Sequence, residues 1–316
     1  MESTINKNEC CGAKLPIDVI IDTDIGTDVD DAYALLFALS SPEINVKGIT
    51  LVHADLETRE RITLKLLKLL GRTDIPVAKG LSHPLKANRS IYWGGHEGRG
   101  LDFSDVENSH AISEHAPEFI ARIAAENPGK ITLITIGPMT NAAAAIGMFP
   151  NEMRCLKGIV SMASTFNGFG QENAGIEHNV RVDPEACAVV LEFGLPVSIV
   201  GLNVTLKTSL RLEHLATIKA ANTDLSQIFF HMTSEWLNIT GRDCAIMHDA
   251  LGVAAAFEPK VVELIPVSAA VSTEIAGLII YEKADETSLI RVAKSVDIEL
   301  FNSLFHPRIL SAMKRI

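Results

Sequence analysis

The residues with the clearest chemical potential are five carboxylates crowded into ten positions. Carboxylates this close repel one another, and a helix N-terminus stabilises each of them by only ~0.3–1 kcal/mol. A bound cation would compensate the remaining charge, and hard oxygen ligands suit calcium or magnesium. The alternative is a solvated, acid-rich loop in front of a helix. The acids are Asp22, Asp24, Asp28, Asp30 and Asp31.

The acids lie between a short apolar strand and a helix. Residues 17–21 are mostly β-branched, which is typical of a buried strand. After the acids, Ala32, Leu35, Leu36 and Leu39 recur at helical spacing. In open α/β sheets, ligands bind beyond the carboxyl ends of the strands. The position of the acids therefore favours a binding site.

Four further segments place polar groups just beyond a predicted strand or at the start of a predicted helix. A parallel sheet gathers such positions at one edge, so distant parts of the chain would build one acidic, amide-rich pocket. Each segment alone is a weak indication, since a lone His248 is more often structural and Asn179 could serve only a turn. The segments are residues 53–55, 136–141, 177–179 and 248–249.

Strands and helices alternate along the chain without an internal repeat or a linker. This order predicts one α/β domain over residues 15–316, with a mainly parallel central sheet flanked by helices. Residues 1–14 are polar and predict a flexible arm. Residues 82–105 lack periodicity and predict a long loop, a feature that is usually functional. We also predict a strand over residues 197–204 and a last helix over residues 296–313.

The composition of the chain excludes some classes of binding partner. The chain has 316 residues, a net charge of −11 and no extended basic patch, which argues against nucleic acid and anionic membranes as partners. No stretch is long and apolar enough to span a membrane. Residues 1–14 lack the apolar region of a signal peptide. The five cysteines are scattered, so a reducing, cytoplasmic setting fits best.

Taken together, four segments form a pattern that is specific for one enzyme family. The segments are Asp22-Thr-Asp24 with Asp30-Asp31-Ala32, Gly137-Pro138-Met139-Thr140-Asn141, residues 177–186, and Met247-His248-Asp249-Ala250. In this order they resemble the motifs of the nucleoside hydrolases of the inosine–uridine-preferring family. The resemblance covers nearly the whole chain after residue 14. It implies that family's fold, calcium-dependent hydrolysis of ribonucleosides to base and ribose, and a homodimer or homotetramer.

The resemblance also implies chemical roles. Asp24 would activate water as a general base and contact Ca²⁺, while Asp31, Asp249 and the backbone carbonyl of Ile136 would be further calcium ligands. These types suit the reaction, because a ribosyl transition state resembles an oxocarbenium ion that carboxylates stabilise. His248 would protonate or hydrogen-bond the leaving base, which suits a side chain with an ordinary pKa of about 6.5.

A second set of residues would hold the substrate. Asp55 stands where many family members have a ribose-binding asparagine. A further ribose-binding amide is either Gln171 or Asn173, and we take Asn173. The implied substrate-binding residues are Asp30, Asp55, His96, Asn173, Glu177 and Asn179.

Besides Asp55, the chain departs from the commonest family pattern at several positions, among them Ile25, which replaces the proline before Gly26. Two more residues separate Asp24 from the Asp30–Asp31 pair, and no role follows for Asp28. His178 replaces the usual aromatic residue. The positions that would contact the base are the least similar, so base preference stays open.

Two other functions remain to be distinguished from the hydrolase. Residues 22–27 also resemble the nucleophile loop of haloacid-dehalogenase phosphatases, in which Asp22 would attack phosphorus and Asp24 would be its acid/base partner. That short match leaves the segments around Glu177 and His248 unexplained. The third possibility is a calcium- or ribose-binding protein without turnover.

Overall fold

A sheet of nine strands forms the centre of the protein, which a computed structural model describes over residues 15–169 and 177–314. Two short strands pair separately from it. The strands are β1 (Ile17–Thr23), β2 (Ile44–Leu51), β3 (Val77–Lys79), β4 (Ile131–Thr135), β5 (Gly158–Met162), β6 (Val197–Val200), β7 (Ser209–Arg211), β8 (Cys244–Ile246), β9 (Val262–Val271), β10 (Ile279–Lys283) and β11 (Ile290–Val296).

The large sheet has the strand order β10-β9-β11-β6-β5-β4-β1-β2-β3. All neighbours from β11 to β3 pair in parallel. Only β9 runs antiparallel to its two neighbours, β10 and β11. This arrangement confirms the predicted mainly parallel α/β sheet. The carboxyl ends of β1, β2, β4 and β5 consequently lie at one edge.

Helices connect the strands and cover both faces of the sheet. Short 3-10 turns occupy Ser104–Val106 and Pro259–Val261. The helices are α1 (Asp30–Leu39), α2 (Leu56–Leu69), α3 (Ala116–Glu126), α4 (Thr140–Met148), α5 (Pro150–Met153), α6 (His178–Val182), α7 (Pro184–Glu192), α8 (Leu202–Thr205), α9 (Leu212–Ala221), α10 (Asp224–Thr240), α11 (His248–Phe257) and α12 (Ile298–Met313).

The central strands are buried on both faces because helices pack against each of them. In β1, Val19 and Ile21 belong to one apolar cluster and Ile20 to the other, as alternation along a strand requires. On the first face, the rings of Phe37 and Phe305 pack edge to face with centroids 5.3 Å apart, which joins α1 to α12. The sheet edge is thus held by a rigid, well-packed support.

The predicted strand over residues 197–204 is wrong in its second half. β6 ends at Val200, and α8 begins after Gly201. The Asn203 side chain donates a hydrogen bond to the carbonyl of Ala293 at 2.8 Å and so fixes this turn against β11. A short apolar run has no periodicity that distinguishes a strand from a helical turn.

Other boundaries differ from the predictions by a residue or two. The last helix begins at Ile298 rather than at residue 296, because the Asp297 carboxylate accepts a hydrogen bond from the Leu300 N–H and caps the helix. The β7–β8 pair and α9 had no counterpart in the predictions.

The predicted long loop is confirmed: no helix or strand occurs between β3 and the turn at Ser104. The arm predicted for residues 1–14 lies outside the described residues. Within the described part of the chain, no helix is both long and apolar enough to cross a bilayer.

Candidate active site

The acid loop, residues 24–29, connects β1 to α1 and leads into the first site residues. Asp30 and Asp31 occupy the first turn of α1, where free backbone N–H groups favour negative charge. The Thr23 hydroxyl donates a hydrogen bond to Asp31 Oδ1 and accepts one from the Ile25 N–H at 3.1 Å. The start and the end of the loop are therefore tied together at the end of β1.

Three carboxylates from two helices meet beside this loop. Oxygen atoms of Asp30, Asp31 and Asp249 all lie within 4.8 Å of one another, and all three residues are buried. Asp249 lies in the first turn of α11, and its N–H donates to Asp30 Oδ2 at 3.3 Å. The sheet edge thus brings together two acid segments from opposite ends of the chain, as the sequence predicts.

The backbone after β4 approaches Asp24 closely. A Cβ atom at Gly137 would lie 2.9 Å from both the backbone nitrogen and Oδ1 of Asp24, so this approach requires glycine. The preceding carbonyl, that of Ile136, accepts a hydrogen bond from Asn179 Nδ2 at 2.9 Å. The predicted carbonyl ligand is therefore oriented by a predicted substrate-binding residue.

The clustered carboxylates are electrostatically strained. Burial raises the pKa of Asp30 to about 7, and the charge of Asp28 contributes further. Burial also raises the pKa of Asp31 and the pKa of Asp249 well above the ordinary range. The next largest cause is a neighbouring negative charge, that of Asp24 for Asp31 and that of Asp30 for Asp249. Buried like charges at these distances are stable only if protons or a cation compensate them.

The donor set fits a hard divalent cation. The three clustered groups offer only carboxylate oxygens, and the Ile136 carbonyl is a further oxygen nearby. Oxygen-only sets with several negative charges suit calcium or magnesium rather than zinc or copper. Asp30, Asp31 and Asp249, with Asp24 beside them, could therefore hold one such ion.

Glu177 and Asn179 are both buried and fixed in orientation beside the cluster. Glu177 caps α6: its Oε1 accepts from the Asn179 N–H at 2.6 Å and its Oε2 from the Ser164 N–H at 2.9 Å. Asn179 Nδ2 donates to the Met162 carbonyl as well as to the Ile136 carbonyl. Polar side chains held this rigidly are suited to binding hydroxyl groups.

His248 adjoins the cluster as the first residue of α11. Its Nδ1 lies 2.7 Å from the hydroxyl of Thr205 on α8. Burial lowers the pKa of His248 to about 4, with a smaller contribution from Arg242. A neutral imidazole whose Nδ1 accepts from Thr205 carries its proton on Nε2, which can donate a hydrogen bond.

Of the remaining predicted substrate-binding residues, His96 contacts the acid loop, whereas Asp55 lies on the surface. His96 Nε2 lies 2.8 Å from the carbonyl of Thr27, so the long loop contacts the acid loop directly. Asp55 is exposed and caps α2, accepting hydrogen bonds from the Thr58 N–H and hydroxyl. A role for Asp55 in ribose binding stays a prediction. Asn173 and the alternative Gln171 lie outside the described residues.

Three rings beside Asp24 had no assigned role in the sequence. His178 Nε2 lies 3.9 Å from Asp24 Oδ2. The rings of His53 and Tyr92 pack edge to face against His178, at centroid distances of 5.9 and 5.7 Å. Burial lowers the pKa of His53 to about 4. The available signal was the place of His53 directly after a predicted strand.

Arg59 on α2 was also missed, although it is fully buried. It lies three residues before Ile62 and seven before Leu66, which are both buried. A charged residue on the apolar stripe of a helix is the signal that could have found it.

The comparisons with known proteins agree with this geometry. The model of a family described as "Inosine-uridine preferring nucleoside hydrolase" matches residues 19–303. The chain belongs to this family. It is accordingly a hydrolase of N-glycosyl compounds, and the resemblance drawn from its motifs is confirmed.

Individual relatives of this nucleoside hydrolase come from plants and bacteria. It is 30% identical to "Probable uridine nucleosidase 2" of Arabidopsis thaliana, over 93% of this chain and 98% of the relative. It is 33% identical to "Pyrimidine-specific ribonucleoside hydrolase RihA" of Citrobacter koseri, over 78% and 81% of the two chains. The solved "Purine-Preferring Ribonucleoside Hydrolase from Gardnerella vaginalis" superposes with a TM-score of 0.83 at 29% identity, covering 95% of this chain and 100% of that one.

The phosphatase alternative does not fit the structure. A nucleophilic Asp22 would have to reach a phosphorus atom, but Asp22 is fully buried. Its Oδ1 accepts hydrogen bonds from Thr50 Oγ1 and, at 2.8 Å, from Asn141 Nδ2. Burial raises its pKa to about 7. Asp22 therefore supports the acid loop from behind rather than attacking a substrate.

The raised pKa values predict how pH affects the metal-free nucleoside hydrolase. Between the ordinary aspartate value of 3.8 and about 7, Asp30 binds more protons in the folded chain than in the unfolded chain. Stability of the chelated protein should therefore fall as pH rises through this window. A hard divalent cation should reverse the fall, so the cation-induced increase in Tm should be larger at pH 7 than at pH 5. Thermal unfolding with EDTA and with excess Ca²⁺ measures both.

Asp249→Asn is the matched control, because it removes one clustered charge while keeping the side-chain shape. Its chelated form should lose less stability between these pH values, and Ca²⁺ should raise its Tm less. If Tm responds to Ca²⁺ equally in both proteins at both pH values, the carboxylate cluster does not bind the ion.

Proposed function

We propose that this nucleoside hydrolase uses Ca²⁺ to cleave the N-glycosidic bond of ribonucleosides. The carrying observation is that buried carboxylates of Asp30, Asp31 and Asp249 meet within 4.8 Å, and that the charge of Asp24 acts on Asp31 and Asp249. We assign Asp24, Asp31, Asp249 and the Ile136 carbonyl as ligands. Calcium is favoured over magnesium because it accepts more ligands in a less regular geometry, as suits carboxylates from separate helices and a carbonyl.

Asp24 is the general base in this proposal. Asp24 is buried, but its Oδ2 lies 3.9 Å from Nε2 of His178, whose side chain is partly exposed, so its carboxylate adjoins a side chain that solvent reaches. It accepts the proton of the attacking water. Calcium held by these residues would supply positive charge that lowers the pKa of that water and would bind the sugar diol.

His248 assists departure of the base. The hydrogen bond between Thr205 and Nδ1 orients the ring so that Nε2 can donate to the leaving group. The developing negative charge on the base is then shared with this hydrogen bond, and the departing base takes its proton from water, because a neutral imidazole that lost its Nε2 proton would become an imidazolate. On the ribosyl side, positive charge builds up and the carboxylate-rich wall stabilises it.

The ribose hydroxyls are held by buried, pre-oriented groups. We assign Asp30, Glu177 and Asn179 to this role because each is buried and hydrogen-bonded to backbone, which fixes its direction. His96, Asp55 and Asn173 complete the proposed substrate set from the family resemblance.

Several broader features are also proposals. The free state of Cys155, Cys187 and Cys244 agrees with a reducing, cytoplasmic setting. We further propose a single domain over residues 15–316, a homodimer or homotetramer, and a role in nucleoside catabolism and nucleotide salvage. The relatives' names include uridine, pyrimidine-specific and purine-preferring enzymes, so substrate choice needs direct measurement.

Ribose release should be measured with inosine, uridine, cytidine, adenosine and guanosine in the presence of Ca²⁺. We expect turnover of at least one nucleoside and its loss after chelation. p-Nitrophenyl phosphate with Mg²⁺ is the control and should yield little phosphate. Tight binding of ribose or calcium without turnover would support the non-catalytic alternative instead.

Asp24→Asn should abolish ribose release, since it removes the base and weakens the metal site together. The loss should be at least ~10²-fold from the base alone. Asp22→Asn is the matched control: it keeps an oxygen for Thr50 and Asn141, so measurable activity should remain. Equal kcat/KM for Asp24→Asn and wild type would sink the assignment.

His248→Ala should slow inosine cleavage by ~10²–10³-fold, the usual cost of removing one hydrogen-bond donor to a developing negative charge. It should affect p-nitrophenyl riboside far less, because nitrophenolate leaves without a proton. Steady-state kinetics on both substrates decides this. Equal losses on the two substrates would point to a packing role for His248.

A further inference from the structure

Arg59 carries a fully buried positive charge that no carboxylate neutralises directly. Across residues 15–169 and 177–314, its guanidinium forms no ion pair. Instead it donates from Nε to the His53 carbonyl and from Nη1 to the Ile25 carbonyl, both at 2.7 Å. It also lies 5.2 Å from the ring centre of Trp93. A buried charge in such surroundings requires compensation from nearby.

The negative charge of Asp31 acts on Arg59 from nearby, and a further carboxylate reaches it through one hydroxyl group. Arg59 Nη2 donates to Thr27 Oγ1 at 3.4 Å, and the same hydroxyl donates to Glu97 Oε1 at 3.0 Å. A hydroxyl can accept one hydrogen bond while donating another, so the directions are consistent. Glu97 is itself buried and also accepts from the Gly94 N–H at 2.7 Å. Thr27 thus connects a buried cation to a buried carboxylate.

This relay joins three separate parts of the chain. Arg59 belongs to α2, Thr27 to the acid loop and Glu97 to the long loop. The Thr27 carbonyl also takes the contact from His96, so the long loop meets Thr27 at two points. Beside it, Asp28 Oδ1 accepts from the indole N–H of Trp236 at 2.8 Å. The stretch that is two residues longer than in the commonest family form is therefore the part that makes these contacts.

We infer that Arg59, Thr27 and Glu97 form a positioning relay that holds residues 93–97 of the long loop against the acid loop and so places His96 at the substrate pocket. None of the three touches the reacting atoms in this assignment; they act through His96 and through the loop backbone. The kinetic consequence rests on the proposed function, whereas the structural consequence does not.

Thr27→Val tests the relay because it keeps the side-chain shape and removes the hydroxyl. With a nucleoside that the wild type cleaves, KM should rise about 10-fold, the factor that corresponds to ~1.4 kcal/mol. kcat should change by less than about 2-fold, since the relay affects binding of substrate rather than the chemical step. Thr27→Ser restores the hydroxyl and should restore KM. Calcium affinity by calorimetry should stay near the wild-type value in both.

A double-mutant cycle separates a relay from independent packing effects. If Thr27 and Glu97 act through one hydrogen bond, Thr27→Val combined with Glu97→Met, which has no oxygen to accept that bond, should raise KM little more than Thr27→Val alone. The relay would be overturned if the KM increase of the double variant equalled the product of the two single increases. Identical KM values for Thr27→Val and Thr27→Ser would also overturn it. Glu97→Met keeps the side-chain length, removes the acceptor oxygen and serves as the second single variant if Thr27→Val folds poorly by circular dichroism.

Limited proteolysis tests the relay without any assumption about activity. Arg99, two residues beyond Glu97, has an exposed side chain that trypsin can recognise. Thr27→Val should be cut after Arg99 about 10-fold faster than wild type, while Thr27→Ser is cut at the wild-type rate. Equal rates in both variants overturn the relay. If the wild type releases no ribose but these differences in proteolysis are still observed, the proposed function is rejected and the relay is retained.

Discussion

Crowded negative charge at the carboxyl edge of the sheet is the constraint on which the rest of the structure depends. Asp30, Asp31 and Asp249 are buried close together, although burial alone disfavours their ionised forms. Their negative charge is stabilised in part by surrounding groups whose positive ends or donor hydrogens point toward the cluster. Helix N-termini at α1 and α11, the Thr23 hydroxyl and the buried charge of Arg59 all favour negative charge there. A hard cation would compensate what remains.

The same constraint explains why some polar side chains around the acid loop are held by hydrogen bonds while Asp24 faces a group of rings. Asp22, through its Oδ1, and Glu177 and Asn179 are held in place by hydrogen bonds to backbone or side-chain partners, which restrain their reorientation when charge changes nearby. Asp24, in contrast, faces the ring wall of His53, His178 and Tyr92. Charged side chains that are held in fixed orientations before substrate binds are the arrangement that pre-organised electrostatic catalysis requires.

The sequence predicted those features that depend on local pattern. The strand before Asp22 and the helix after Asp31 follow from apolar spacing, and the shared sheet edge follows from strand–helix alternation. Other features depend on contacts between distant residues. Arg59 meets Ile25 across 34 positions and Thr27 meets Glu97 across 70, so neither pairing shows in any local window. The turn at Asn203 was missed for the same reason, because its partner lies on β11.

The link between α1 and α11 also governs when the site can exist. Asp30 and the N–H of Asp249 are 219 residues apart in the chain but in direct contact. The entropy of closing so long a loop must be overcome by the packed sheet before the two segments meet. During synthesis the acid loop emerges early and waits for α11 until most of the domain has been made. A cation would then bind to and stabilise only the chain in which α1 and α11 are already in contact. A local opening that detached α11 would release the ion before the sheet unfolded.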